Sequence, residues 1–324
     1  MKCTNKAVIT LFLIFSIAML ACGCTGGEYS FAFNRNSGST AYTMVNTANT
    51  NSRMDGFTSD LCVDFGDYSK GSGFINAEAG GAFNLTDLEV MYGKNLYNVM
   101  NPASLTKIMT AHVALKYGNL SDRLVVTEAA MVNESGAQLA GFKPGDTMTL
   151  EQAINIMLVC SANDAALAVA QHVGGDVDTF VSLMNAEAKR IGATSTHFTN
   201  PHGLTDENHK TTPYDLYLIL NEAVKDENFR NIVNQVAYNA TIMDANGNAK
   251  EISVETTNLF LKGNYETPSD VVVLGGKTGT TAAAGSCLAI YAKDTSGKYY
   301  ITVILHADDR EMSYLDTASL LTLK

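Results

Sequence analysis

A helical middle enclosed by strand-like runs is the feature that most restricts how this 324-residue chain can fold. Thr149 and Gln152 match a capping box and open "LEQAINIMLVC", whose apolar residues recur at helical spacing. "DAALAVAQHV" forms a second helix ended by Gly174-Gly175, and "DTFVSLMNAEAKRIG" a third ended at Gly192. Thr212 and Pro213 open "YDLYLILNEAVKD" as a cap followed by a first-turn proline. The last third turns to strands. "YNATIMD" and "KEISVETT" flank an Asn246-Gly247 turn, "VVVLGG" follows, and "SCLAIYAKD" and "KYYITVILHA" flank Ser296-Gly297. A short helix after Arg310 ends the sequence. With further strands over residues 75–97, this order predicts an α+β fold: an antiparallel sheet flanked by helices plus a helical lobe.

The first residues address location. "MKCTNKAVITLFLIFSIAMLACGC" has Lys2 and Lys6, an apolar run from Ala7 to Leu20, then small residues, the layout of an export signal. The run falls short of the ~20 residues that a membrane span needs. Met19-Leu20-Ala21-Cys22 resembles the lipobox of bacterial lipoproteins, in which the cysteine becomes the lipidated first residue. Met at its first position departs from that pattern, and Cys24 is a second candidate. The alternative is an ordinary cleaved signal with incidental cysteines. Residues 1–22 are thus read as a lipoprotein-type signal, 23–69 as a flexible Ser/Thr/Asn/Gly-rich tether, and 70–324 as the globular domain.

Composition removes several classes of function. A formal net charge of −11 argues against nucleic acid as a partner and suits an exported domain. Cys62, Cys160 and Cys287 are an odd number at long spacings, without a C-x-x-C pair, and Cys160 and Cys287 read as small core residues. His197, His202 and His209 lack metal-ligand spacing, so neither metal nor cofactor is expected.

The string "NPASLTKIMT" carries Ser104 and Lys107 three apart at a helix start, close enough for amine and hydroxyl to meet. Alone it is weak, because an S-x-x-K string is usually a solvated lysine beside a capping serine. Two further strings follow in order. "CSAND" places Ser161 and Asn163 in a tight turn between apolar helices, and "GGKTGTT" places Lys277, Thr278 and Gly279 at the end of a strand. S-x-x-K, S-x-N and K-T-G together are the signature set of penicillin-binding proteins and serine β-lactamases.

The stretches "NPASLTKIMTAHVAL", "MLVCSANDAALAVAQHVGG", "TSTHFTNPHGL" and "LGGKTGTTAAAGSCLAIYAK" are similar to the serine-type D-alanyl-D-alanine carboxypeptidases of the low-molecular-mass penicillin-binding proteins. The resemblance runs from about residue 75 to near the C-terminus and implies a β-lactamase/transpeptidase-like fold. It further implies attack by Ser104 on the penultimate D-alanine carbonyl, with Lys107 as a neutral base and Ser161 relaying the proton to the leaving nitrogen. Asn163 would bond the peptide chain, and the N–H groups of Ser104 and Thr280 would form an oxyanion hole. Lys277, Thr278, Gly279, Thr280 and Arg310 complete the substrate-binding set, with Arg310 as a carboxylate ligand or a surface charge among Asp308, Asp309 and Glu311. β-Lactam antibiotics would be covalent inhibitors.

The family usually adds a β-rich domain and an amphipathic anchor helix after the catalytic domain, which this chain is read as lacking. A lipid on Cys22 would supply the attachment, on the outer face of the cytoplasmic membrane. Three alternatives stand beside the carboxypeptidase. A class A β-lactamase needs an E-x-x-L-N loop, and none follows Asn163; Glu187, Glu207, Glu222 and Glu227 read as solvated surface charges. A DD-endopeptidase uses the same machinery, and a penicillin-binding sensor lipoprotein would have lost turnover.

Overall fold

The strands of the last third are apolar at successive positions because both faces of their sheet are covered. The computed structural model describes residues 60–64 and 74–324, all within one unit spanning 55–324. Its strands are β1 (Ala79–Asn84), β2 (Glu89–Lys94), β3 (Arg123–Val125), β4 (Thr147–Thr149), β5 (Ala237–Met243), β6 (Ala249–Glu255), β7 (Val271–Thr281), β8 (Gly285–Asp294) and β9 (Tyr299–Ala307). The helices are α1 (Thr106–Tyr117), α2 (Leu150–Val159), α3 (Asn163–Gly174), α4 (Val177–Ile191), α5 (Pro213–Ala223), α6 (Glu227–Val233) and α7 (Arg310–Leu321). The main sheet is antiparallel, in the order β2-β1-β9-β8-β7.

Side chains alternate across a strand, so each face gathers its own core. Leu288, Ile290 and Ala292 of β8 pack with Tyr314, Leu320 and Leu321 of α7. Ala289 and Tyr291, between them in sequence, belong to the larger core shared with the helical lobe. The fold class is the α+β arrangement the sequence predicted. α1 lies deepest in the lobe: Thr106, Lys107, Ile108, Met109, Thr110 and Ala111 are buried in succession. A helix enclosed on this scale offers Lys107 no solvent face, so its amine must find partners inside the protein.

Local signals hold at the helix starts. Thr149 and Gln152 form a reciprocal capping box, Asp176 caps α4, and Thr212 caps α5 ahead of Pro213. The β5–β6 hairpin, however, leaves the main sheet and joins a second one, ordered β3-β4-β5-β6. β3 and β4 have three residues each, too few to show an alternation.

The tether boundary at residue 69 differs from the structure. Cys62 is fully buried in the main core. Its N–H donates to Tyr217 Oη at 2.8 Å, its thiol to the Asn84 carbonyl at 3.2 Å, and Tyr214 Oη donates to its carbonyl at 2.8 Å. A polar composition conceals one apolar anchor of this kind. The signal segment, Cys22 and Cys24 lie outside the described residues.

Glu187 also differs from its reading as a solvated charge. It is 2% exposed on α4, facing α1, where His112 Nε2 lies 2.7 Å and Lys116 Nζ 2.9 Å away, with Arg190 at 2.7 Å. Burial pushes its carboxyl up, but donors from Arg190, His112 and Lys116 outweigh it and hold the pKa at about 2. His112, Glu187 and Glu222 bring their ligand atoms within 4.8 Å of one another. A metal there would have to displace Lys116, Arg190 and Lys225 from the two carboxylates.

Candidate active site

Ser104 sits on a 3₁₀ turn, Ala103–Leu105, that runs directly into α1. Pro102 precedes the turn rather than opening the α-helix itself. Two residues on either side of the site adopt left-handed backbone without being glycine: Ala103 at φ 49° and Ser161 at φ 66°. Such geometry costs on the order of 1–2 kcal/mol and persists only where surroundings enforce it. Gly203 packs directly on Ala103: a β-carbon on residue 203 would stand 1.9 Å from the Ala103 carbonyl oxygen. Strand β7 closes the other side, where a β-carbon on Gly279 would stand 2.9 Å from the Ser104 nitrogen. The glycine of the K-T-G string thus lets the strand press against the serine turn.

The three strings converge. Lys107 Nζ lies 2.9 Å from Ser104 Oγ, 2.6 Å from Asn163 Oδ1 and 2.7 Å from the His202 carbonyl. Lys277 Nζ donates to Ser161 Oγ and to the Thr278 carbonyl, each at 2.9 Å. Both amines are buried, Lys107 at 0% and Lys277 at 1% exposure. Burial first, and then the neighbouring Lys277 charge, holds Lys107 well below the ordinary lysine range. Burial pushes Lys277 down to about 7.

Hydrogen-bond valence decides what Lys107 can do. Asn163 Oδ1 and the His202 carbonyl are acceptors only, so they engage two N–H bonds of the amine. In the neutral form this leaves the lone pair facing Ser104 Oγ. Asn163 keeps its Nδ2 donors for a ligand. Likewise Lys277 donates to Ser161 Oγ, which leaves the Ser161 hydroxyl hydrogen free to point elsewhere.

A cavity of about 290 Å³ opens over these groups. Ser104, Ser161, Asn163, Thr278, Gly279 and Thr280 line it, as does Arg310, the first residue of α7. Among the described residues no acidic side chain lines this cavity. Lys107 and Lys277 lie beneath the floor rather than in the wall.

Several supports carry no residue-type signal. The His202 carbonyl holds the Lys107 amine through its backbone. Asp164, buried beside Asn163, accepts from the N–H groups of Ala140, Gly141 and Phe142 and so ties down the segment that follows the lining residues Gly136, Ala137 and Gln138. Two lining residues are also tied together, Thr257 Oγ1 meeting Thr278 Oγ1 at 2.6 Å. Cys160 and Cys287 are buried as expected, and Cys287 also touches the cavity.

Comparison with known proteins agrees with this geometry. Residues 75–309 match the peptidase S11 family, D-alanyl-D-alanine carboxypeptidase. D-alanyl-D-alanine carboxypeptidase DacF of Bacillus subtilis is 34% identical over 212 residues, 63% of this chain and 51% of that one. The Streptomyces K15 D-alanyl-D-alanine carboxypeptidase is 30% identical over 241 residues, 71% of this chain and 81% of its own. The crystal structure of the Streptomyces K15 DD-transpeptidase superposes with a TM-score of 0.71 at 28% identity, covering 77% of this chain and 97% of that one. The chain spans 51% of DacF and 57% of the Escherichia coli relative DacC. With the family's match running through all three strings and both sheets, the chain belongs to the D-alanyl-D-alanine carboxypeptidase family of serine peptidases.

Proposed function

We propose that this protein is a serine DD-carboxypeptidase that removes the terminal D-alanine from peptidoglycan stem pentapeptides. The observation that carries the reading is the Lys107 amine, 2.9 Å from Ser104 Oγ with two acceptor-only partners. Neutral Lys107 takes the hydroxyl proton as Ser104 Oγ bonds to the penultimate carbonyl carbon. The Ser104 and Thr280 N–H groups stabilise the developing oxyanion. As the peptide bond breaks, Ser161 relays the proton taken up by Lys107 to the leaving D-alanine nitrogen, which returns Lys107 to its neutral form. Thr278, Thr280 and Arg310, with the positive charge of Lys277 beneath them, hold the terminal carboxylate, and Asn163 Nδ2 bonds the peptide chain. Water then frees the acyl group from Ser104.

β-Lactams enter the same sequence but leave no fragment behind, so they inhibit covalently. That no acidic side chain among the described residues lines the cavity favours carboxypeptidase over class A β-lactamase, which must deprotonate its deacylating water. The solved K15 neighbour is named a DD-transpeptidase, which supports one second reading: an amine replacing water as acyl acceptor. Incubating the chain with a pentapeptide ending in D-Ala-D-Ala, with and without a glycyl amine, tests both. Released D-alanine without added amine supports the carboxypeptidase, release only with amine supports the transpeptidase, and no release in either refutes the proposal.

We further propose attachment to the outer face of the cytoplasmic membrane through a lipid on Cys22. The apolar run and the Ala21-Cys22 junction support it. A multiply acylated cysteine anchors firmly, whereas one chain holds only marginally. Cys22→Ser should move the protein to the soluble fraction. Retention of Cys22→Ser with release of Cys24→Ser would shift the lipid to Cys24, and retention of both would exclude it.

A further inference from the structure

Behind the serine turn lies a hydrogen-bond chain whose direction is determined at every link. His209 is 2% exposed. The Thr199 N–H donates to its Nδ1 at 3.0 Å, and the Thr199 hydroxyl lies 3.3 Å from the same atom. A backbone N–H only donates, so Nδ1 carries the lone pair and Nε2 the hydrogen. Nε2 stands 2.8 Å from Thr106 Oγ1. Thr106 Oγ1 in turn donates to the Ala103 carbonyl at 2.8 Å, an atom that can only accept. Its hydroxyl hydrogen is therefore committed, and its lone pair takes the Nε2–H.

The chain ends on the residue that most needs support. Ala103 is left-handed, adjoins the nucleophile, and has its carbonyl pressed by Gly203. Burial, against the opposing pull of Asp206, pushes the His209 ring down to about 4, so the neutral imidazole that the chain requires is the form present near neutrality. The Phe198 and His209 rings meet edge-to-face, with centroids 5.5 Å apart.

We propose that His209 is a positioning residue for acyl transfer: as the Nε2–H tautomer it orders Thr106, and through Thr106 the left-handed Ala103 that aims Ser104. The proposal rests on the acyl-enzyme reading of this site and concerns how that nucleophile is aimed. Substrate contacts lie on the other side of the turn, so loss of the chain slows bond formation and leaves noncovalent binding in place. Misaiming a reacting atom by a fraction of an ångström to an ångström costs on the order of 10- to 100-fold in rate.

The experiment uses the full chain and benzylpenicillin. Imidazole ¹⁵N NMR should show His209 protonated at Nε2 alone at pH 7, a readout independent of whether penicillin reacts. In stopped-flow acylation, Thr106→Val should lower the first-order acylation constant about 10-fold or more, with penicillin's noncovalent dissociation constant changed less than about twofold. Thr106→Ser, which restores the hydroxyl, should recover most of the rate. His209→Ala should show the same loss, and the double variant with Thr106→Val should be no slower than either single one. An Nδ1–H tautomer, wild-type acylation by Thr106→Val, or multiplying losses in the double variant would each overturn the proposal. If His209→Ala does not fold, the near-isosteric Thr106→Val decides it. A wild-type chain that penicillin never acylates counts against the proposed function, and the tautomer then decides the positioning chain.

Discussion

Gly203 touches Ala103 so closely that the carbonyl oxygen of the second occupies space a side chain on the first would need. Gly203→Ala would place a methyl 1.9 Å from that oxygen and a non-glycine residue at φ 89°. Backbone strain alone amounts to about 1–2 kcal/mol, and the overlap forces the serine turn to move. We expect a folded protein by circular dichroism with acylation reduced at least about 100-fold, because the displaced turn carries Ser104. Near wild-type acylation by Gly203→Ala would show that the turn tolerates displacement.

The two buried lysines should separate in their pH dependence. In the proposed mechanism Lys107 must be neutral to accept a proton, so activity should rise as pH climbs through its lowered pKa. Lys277 is charged below about 7 and neutral above it, so the hold on the substrate carboxylate is present below that value and lost as pH rises. The profile of kcat/KM should be bell-shaped, with the alkaline limb near 7. Lys107→Arg should abolish acylation, since a guanidinium gives up no proton. Lys277→Arg should be milder, although its larger head crowds a buried site, and it should remove the alkaline limb. An unchanged alkaline limb in Lys277→Arg would assign that limb to another group.

Penicillin should form a long-lived adduct. The opened ring stays tethered where water must arrive, and no acidic residue among those described lines the cavity to deprotonate that water. Intact mass spectrometry should show one stoichiometric increase, absent in Ser104→Ala, while the D-Ala-D-Ala peptide turns over repeatedly. Rapid hydrolysis of penicillin without an accumulating adduct, and no D-alanine release, would place the activity with β-lactamases.

Glu187 offers a stability test remote from the chemistry. Its carboxyl is held at about 2 instead of 4.5, so its contribution is full above about pH 4.5 and is lost as pH falls toward 2. Because Lys116 and Arg190 are partly exposed, the loss in Glu187→Gln at pH 7 should be about 1–3 kcal/mol, below that of a fully enclosed pair. Denaturant unfolding at pH 7 and pH 3 checks this: the difference between wild type and variant should shrink at the lower pH. A constant difference would mean that packing, not charge, is lost.

What could be read from the sequence was local. Ser104 and Lys107 lie one helical turn apart, Ser161 and Asn163 share a turn, and Lys277 to Thr280 are consecutive, so each group is visible as a string. Thr149 and Gln152 signalled their cap for the same reason. What stayed hidden was long-range or carried by backbone. The His202 carbonyl has no side-chain signature, and His209 meets Thr106 across 103 positions of sequence. Cys62 sat in a polar stretch whose average outweighed it. Glu187 looked solvated because its partners His112 and Lys116 come from another helix.

The strand order has a consequence for when the protein becomes reactive. β7, which presses Gly279 against the serine turn, pairs among the described strands with β8, β8 pairs with β9, and β9 pairs with β1 near the other end of the domain. Lys277 meets Ser161 across 116 positions. A chain cut before β9 therefore lacks the strand that joins β8 to β1, and with it the frame that brings Lys277 to Ser161, although Ser104 and Lys107 are already neighbours one helical turn apart. Covalent labelling by penicillin is accordingly a census of completely assembled molecules, and a chain cut anywhere before β9 should be silent in it however much helix it retains.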